Sequence, residues 1–179
     1  MANYSELFNN YELLLEKVDS LCAKIHTICG DAITCREGCD GCCRHFSVFP
    51  VEAVFIAMAV GRLPEERQRF FRSRVESLKD GDICPLLLDG SCAVYDHRPI
   101  ICRTHGLPIL IREGEKVRVD FCPKNFRRTE TLNGDTVIDL DRLNQTLAAI
   151  NQVFVAGFFR EDPPRELRLS MADALMLEI

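Results

Sequence analysis

The sequence predicts an α+β fold, mainly α, in which helices pack around a small cysteine-bearing β-hairpin element. Three observations predict it. Apolar residues recur at helical spacing near both ends of the chain and between residues 50 and 78. Residues 86–121 switch to short alternating runs broken by Asp-Gly and Glu-Gly. All ten cysteines lie between Cys22 and Cys122, so they bracket the stretch where the pattern changes.

Residues 3–29 read as one amphipathic helix, with Leu7, Tyr11, Leu14, Val18, Leu21, Ile25 and Ile28 on one face and Gly30 as its stop. A cysteine-rich loop follows. Pro50 starts a second helix that runs to Val60 and ends at Gly61. Pro64 opens a third, through about Leu78, with Phe70, Phe71, Val75 and Leu78 inward and Asp80-Gly81 as punctuation. Leu86–Leu88, Asp89-Gly90 and Cys92–Tyr95 form a tight hairpin, because Asp-Gly accepts the positive φ angles of such turns. Pro99–Thr104 is a helical turn or a bend. Leu107–Ile111, the turn Glu113-Gly114 and Lys116–Phe121 form a second hairpin, and residues 123–135 are irregular. A long helix spans about Asp139 to Phe158. Pro163-Pro164 breaks the chain, and Ser170 caps a last short helix with Asp173 in the capping-box position.

The chain has 179 residues, 47% hydrophobic and 27% charged, enough for one folded domain spanning 1–179. Within it a cysteine region, 35–122, is flanked by the helix 3–29 and by helices in 139–178. Net charge is -5 and the pI about 5.4, which argues against broad attraction to nucleic acid or to an anionic membrane. Arg67, Arg69, Arg72 and Arg74 alternate with Glu65, Glu66 and Glu76 and read as a solvated helix face. Met1–Asn10 is polar and lacks the look of a secretory leader, and the apolar run Val51–Val60 is too short to span a bilayer. A cytoplasmic location is the expectation. In a reducing compartment, cysteines at this density point to metal binding or redox chemistry sooner than to disulfides.

Cys35, Cys39, Cys42 and Cys43 put four thiols within nine residues, with Gly38 and Gly41 supplying backbone freedom. The C-x-x-C step from Cys39 to Cys42 lets two sulfurs reach one ion at about 2.3 Å each for zinc. Adjacent Cys42 and Cys43 point apart on most backbones, so one of them faces a second metal or packs as a buried thiol. Cys22 and Cys29 lie on the apolar face of the first helix and read as small buried hydrophobes. Among the histidines, His45 and His105 stand near motif cysteines and are open as ligands, while His97 and His26 read as structural. No phosphate loop, nucleophile elbow or H-E-x-x-H motif is present.

The later cysteines stand in the contexts Cys84-Pro-Leu-Leu, Cys92-Ala-Val-Tyr95 and Arg98-Pro99-Ile-Ile-Cys102-Arg103. With the first cluster they resemble the YkgJ-type or CxxCxxCC family, a zinc- or iron-chelating domain, over Cys35 to Cys122. The resemblance implies eight metal-binding cysteines: Cys35, Cys39, Cys42, Cys43, Cys84, Cys92, Cys102 and Cys122. The first step here is C-x-x-x-C rather than C-x-x-C, which makes Cys35 the least secure of the eight. The resemblance also implies cofactor-supporting roles for Arg98 and Arg103, whose charge would offset that of the thiolates. A flagellin lysine methylase with a related cysteine cluster, linked to an iron–sulfur centre, is similar over part of the pattern. Zinc and iron, including a 4Fe-4S cluster, therefore stand side by side. The expected partners are a metal ion and a protein or peptide, in three readings: a metal- or cluster-binding protein, an iron- or cluster-dependent enzyme that modifies a peptide or protein, and a structural zinc adaptor.

Overall fold

Six α-helices and seven short strands account for the regular structure of the computed structural model, which describes residues 5–36, 38–76, 78–79, 81–127, 131–160, 163–164 and 166–179. The fold class is α+β, mainly α. Asp80, the N-terminal end of the first helix at residues 3 and 4, and part of the 123–135 stretch fall outside the described residues. Among those residues no helix is long and apolar enough to cross a membrane. The chain divides into two compact units: Met1–Leu7, Glu37–Pro99 and Asn151–Ile179 in unit 1, and Phe8–Arg36 and Ile100–Ile150 in unit 2.

Unit 1 is built on α2 (Pro50–Gly61), which packs against α6 (Met171–Met176) and α3 (Glu65–Ser73). Its core joins Val48, Ala53, Ile56, Val60, Phe71, Leu86, Val94, Met171 and Leu175, with Cys84 and Cys92 packed at the edge. α2 is apolar on every side, as a helix covered all round must be. At its start the Glu52 carboxylate accepts the Phe49 N–H at 3.1 Å, and Asn151 Oδ1 accepts the Val51 N–H at 3.1 Å. α3 ends at Ser73, five residues before the expected Leu78. The Ser73 hydroxyl donates to the Phe70 carbonyl at 2.8 Å and the Arg74 side chain donates to the Leu87 carbonyl at 2.7 Å, so local polar bonds replace the next helical turn.

Two strand pairs complete unit 1. β1 (Ser47–Val48) runs antiparallel to β7 (Leu169–Ser170), and β2 (Leu87–Leu88) to β3 (Ser91–Cys92) through the expected Asp89-Gly90 turn, at φ 50° and 76°. Ser170 caps α6 as expected: its hydroxyl accepts the Asp173 N–H at 2.9 Å, and the Asp173 carboxylate accepts the Ser170 N–H at 2.9 Å.

Unit 2 holds residues 8–29 of α1 (Ser5–Cys29), α4 (Ile100–Thr104), β4 (Ile109–Glu113), β5 (Lys116–Asp120), β6 (Ile138–Asp139) and residues 140–150 of α5 (Leu140–Phe158). Tyr11, Leu14, Leu15, Val18, Cys22 and Ile25 form the buried stripe of α1. The β4–β5 hairpin forms as expected, and β6 adds a strand parallel to β4 that is only two residues long. Arg112 of β4 grips Asp139 with two hydrogen bonds of 2.9 Å. Asp139 Oδ1 also accepts the Arg142 N–H at 3.1 Å, which caps the start of α5.

Candidate metal centre

In unit 1 the backbone sets two distant cysteines side by side. Arg44 and Ile83 form an antiparallel bridge, His45 N–H donates to the Asp82 carbonyl at 2.7 Å and Cys84 N–H to the Cys43 carbonyl at 3.0 Å. Residues 43–45 therefore run against 82–84. A second approach comes from the β2–β3 hairpin: a Cβ at Gly90 would lie 3.5 Å from the Cα of Gly38, so the hairpin tip sits against the loop that leads into Cys39. Glycine at both places lets two backbones come this close.

Five thiols, those of Cys39, Cys42, Cys43, Cys84 and Cys92, share the resulting neighbourhood. Burial pushes the Cys84 thiol up to about 11, and the fields of Cys92 and Cys43 add to it. Burial also raises Cys92, and raises Cys43, on which the Cys92 sulfur acts next. Cys42 is raised by burial and then by Cys43, with Cys39 adding to the effect. The adjacent Cys42 and Cys43 side chains act on each other rather than pointing apart. The cause is a tight turn, in which the Arg44 N–H reaches the Cys42 carbonyl at 2.9 Å and breaks the usual alternation.

Two features oppose this accumulation of sulfur. The backbone N–H groups of Leu86 and Leu87 act to lower Cys84 and that of Val94 to lower Cys92, with the Leu87 N–H on the Cys84 carbonyl at 3.1 Å. Such donors favour the thiolate. Arg98 is the second feature: its charge acts on both Cys43 and Cys92. Its Nε donates to the Tyr95 carbonyl at 2.8 Å and its guanidinium lies 3.5 Å from the centre of the Tyr95 ring, which holds it in place. The sequence signal for the backbone donors is the Cys84-Pro85 step, since a turn there leaves the next two N–H groups facing the sulfur.

Unit 2 carries Cys35, Cys102 and Cys122. Cys35 and Cys122 meet around Gly106: a Cβ there would lie 3.2 Å from Cys35 Sγ and 3.3 Å from Cys122 Cβ. Cys102 is half-buried on α4. Arg103, with its side chain 7% exposed, bonds Asp19 of α1 at 2.6 Å. Cys22 is buried, its thiol 3.6 Å from the Arg103 carbonyl, and Cys29 is half-buried at the end of α1.

The histidines separate cleanly. His45 is buried, with Nδ1 3.1 Å from the Lys79 carbonyl and Nε2 accepting the Ala172 N–H at 3.3 Å. Both ring nitrogens are thus engaged by the backbone, and the proton belongs on Nδ1. His97 packs on the Phe55 ring, and His105 is exposed after α4.

Zinc and iron both take soft sulfur donors, and the unit 1 thiols, with their N–H donors and a neighbouring cation, fit that chemistry. Among the described residues no three His, Cys, Asp or Glu side chains converge at ion-binding geometry. The neighbourhood is a set of thiols in electrostatic and hydrogen-bonding reach rather than an assembled cage.

No curated protein and no solved structure matches the chain. The model of the CxxCxxCC family, described as "Putative zinc- or iron-chelating domain", matches residues 34–123. That span covers the five cysteines of unit 1, Cys35, Cys102 and Cys122 of unit 2, and Arg98 and Arg103, and by it the chain belongs to the CxxCxxCC family.

Proposed function

We propose that the chain binds zinc or iron through thiolates, with Cys39, Cys42, Cys43, Cys84 and Cys92 as the donors of unit 1 and Cys35, Cys102 and Cys122 as those of unit 2. The observation that carries this reading is the unit 1 neighbourhood: five thiols brought near one another by the 43–45/82–84 pairing and the β2–β3 hairpin, with backbone N–H groups and one anchored arginine beside them. A partly buried, crowded thiol set of this kind is costly to ionise alone, and a cation offsets that cost. When bound, zinc would supply folding energy, and an iron–sulfur cluster would supply one-electron chemistry.

The chain's own residues do the rest. Arg98 offsets negative charge on Cys43 and Cys92. The 43–45 and 82–84 segments hold two donors in register, and the β2–β3 hairpin delivers a third. Ten free thiols fit a reducing, cytoplasmic setting. The two units act together as one domain in this reading, because the family's cysteines are shared between them.

Anaerobic purification with metal analysis and a visible spectrum tests the proposal. Brown protein with about four irons and four sulfides per chain would identify a cluster. Colourless protein with one or two zincs would identify closed thiolate sites. Protein that takes up neither metal would overturn it.

A further inference from the structure

Asn125 lies just past the matched span and is 1% exposed. A buried amide must satisfy two donors and two acceptor positions, and this one does. Its Oδ1 accepts from the Thr34 N–H at 2.9 Å, and the single proton of the Thr34 hydroxyl is shared between this oxygen at 3.0 Å and the Lys124 carbonyl at 3.1 Å. Its Nδ2 donates to the Gly106 carbonyl at 2.8 Å and lies 3.4 Å from Cys35 Sγ. The amide cannot be turned over, because its oxygen would then face the Gly106 carbonyl and its NH2 the Thr34 N–H. One N–H is therefore aimed at sulfur. The reverse bond, from the Cys35 thiol to Oδ1, is longer at 3.7 Å and meets an oxygen already taken by Thr34.

The surroundings are built to keep it there. Gly106 has φ +87°, and a side chain on it would lie 3.3 Å from Asn125 Nδ2 as well as against the two cysteines. The Asn125 N–H reaches the Cys122 carbonyl at 2.8 Å, so the residue that donates to Cys35 also closes the turn after Cys122. Phe126, the next residue, is buried and held at φ +55°, with its N–H on the Ala32 carbonyl at 2.7 Å. Left-handed backbone in a bulky residue is strained and persists only where neighbours fix it.

We propose that Asn125 is a positioning residue for the unit 2 thiols: its amide N–H holds the Cys35 sulfur as a metal ligand, and its backbone fixes Cys122 beside it around Gly106. This does for Cys35, through a side chain, what the N–H groups of Leu86, Leu87 and Val94 do for Cys84 and Cys92. The inference rests on the metal-binding reading above.

Cobalt(II) is the probe, titrated into the full chain and into Asn125→Asp, which keeps the acceptors toward Thr34 and loses the donors toward Gly106 and Cys35. The wild-type chain should show sulfur-to-cobalt charge-transfer absorption. The variant should bind about tenfold more weakly at one site, and its charge-transfer band per bound cobalt should move to lower energy, because the sulfur has lost a donor. A role confined to folding would change occupancy and the unfolding midpoint without moving the band. If Asn125→Asp does not fold, Asn125→Ala, which opens the position to water, carries the same readouts. Unchanged affinity and band in a folded variant would overturn the inference. A wild-type chain with no thiolate band would instead overturn the metal-binding reading beneath it.

Discussion

Sulfur atoms at Cys43 and Cys92 each lie in the field of Arg98, and the Cys92 sulfur acts on Cys43. Removing one of them should therefore do more than subtract a ligand. Cys92→Ser is expected to bring metal at the unit 1 centre close to zero, whereas Cys22→Ser, whose thiol is buried on α1, should leave metal content unchanged; elemental analysis of the purified variants checks both. Arg98→Leu keeps bulk near the Tyr95 ring and removes the charge. It should weaken metal affinity about tenfold with little change in stoichiometry, as read by competition with a chromophoric chelator. His45, by contrast, has both nitrogens bonded to backbone, so a ligand role would require breaking the start of α6.

At the scale of elements, β6 and the first turn of α5 are tied to β4 by Arg112, which pairs with both Asp139 and Asp141. The Arg112 guanidinium, with the Arg142 N–H next, holds the Asp139 carboxyl down to about 2 from its ordinary 3.8. A lowered folded pKa contributes stability above the ordinary value and loses it as pH falls toward the folded one. Acid unfolding of the wild type should therefore show a stability loss between about pH 4 and pH 2 that Asp139→Asn lacks, measured by circular dichroism along an acid titration. How far such elements can be read in advance depends on their length. The helices 50–61 and 140–158 and both hairpins were legible because apolar spacing and turn residues agree over many positions. β6, β1 and β7 are two residues each, and their partners lie far along the chain, so no local pattern marks them. The early end of α3 was hidden for another reason: the apolar stripe continues to Val75 and Leu78, while side-chain bonds from Ser73 and Arg74 end the helix. For the site, the C-x-x-C step and the Arg98-Pro99 context marked the thiols and a cation. The contact between Cys42 and Cys43 was not legible, because it depends on the turn at Arg44. Asn125 was not either, since one asparagine in a polar stretch carries no signal until Thr34 and Gly106 surround it.

For the whole molecule, ligand binding to the folded state should appear as added stability. Free metal at a hundred times its dissociation constant adds about 2.7 kcal/mol, which for a chain of this size is a rise in melting temperature of about 5–10 °C. A melting curve that ignores both added zinc and a chelator would contradict a structural role for the metal. One arrangement at the start of α6 has a further consequence. Its first three N–H groups are met by the Phe46 carbonyl at 3.0 Å, by His45 Nε2 and by the Ser170 hydroxyl, so the segment just after Cys43 is tied down by the residues at the start of α6. Synthesis delivers those residues after every one of the cysteines. While the ribosome is still adding them, the thiols from Cys39 to Cys92 have already been made but lack the helix that completes their support. Full metal affinity should then follow the synthesis of α6, and a nascent chain halted before Met171 should hold zinc or cobalt more weakly than one extended through Met176.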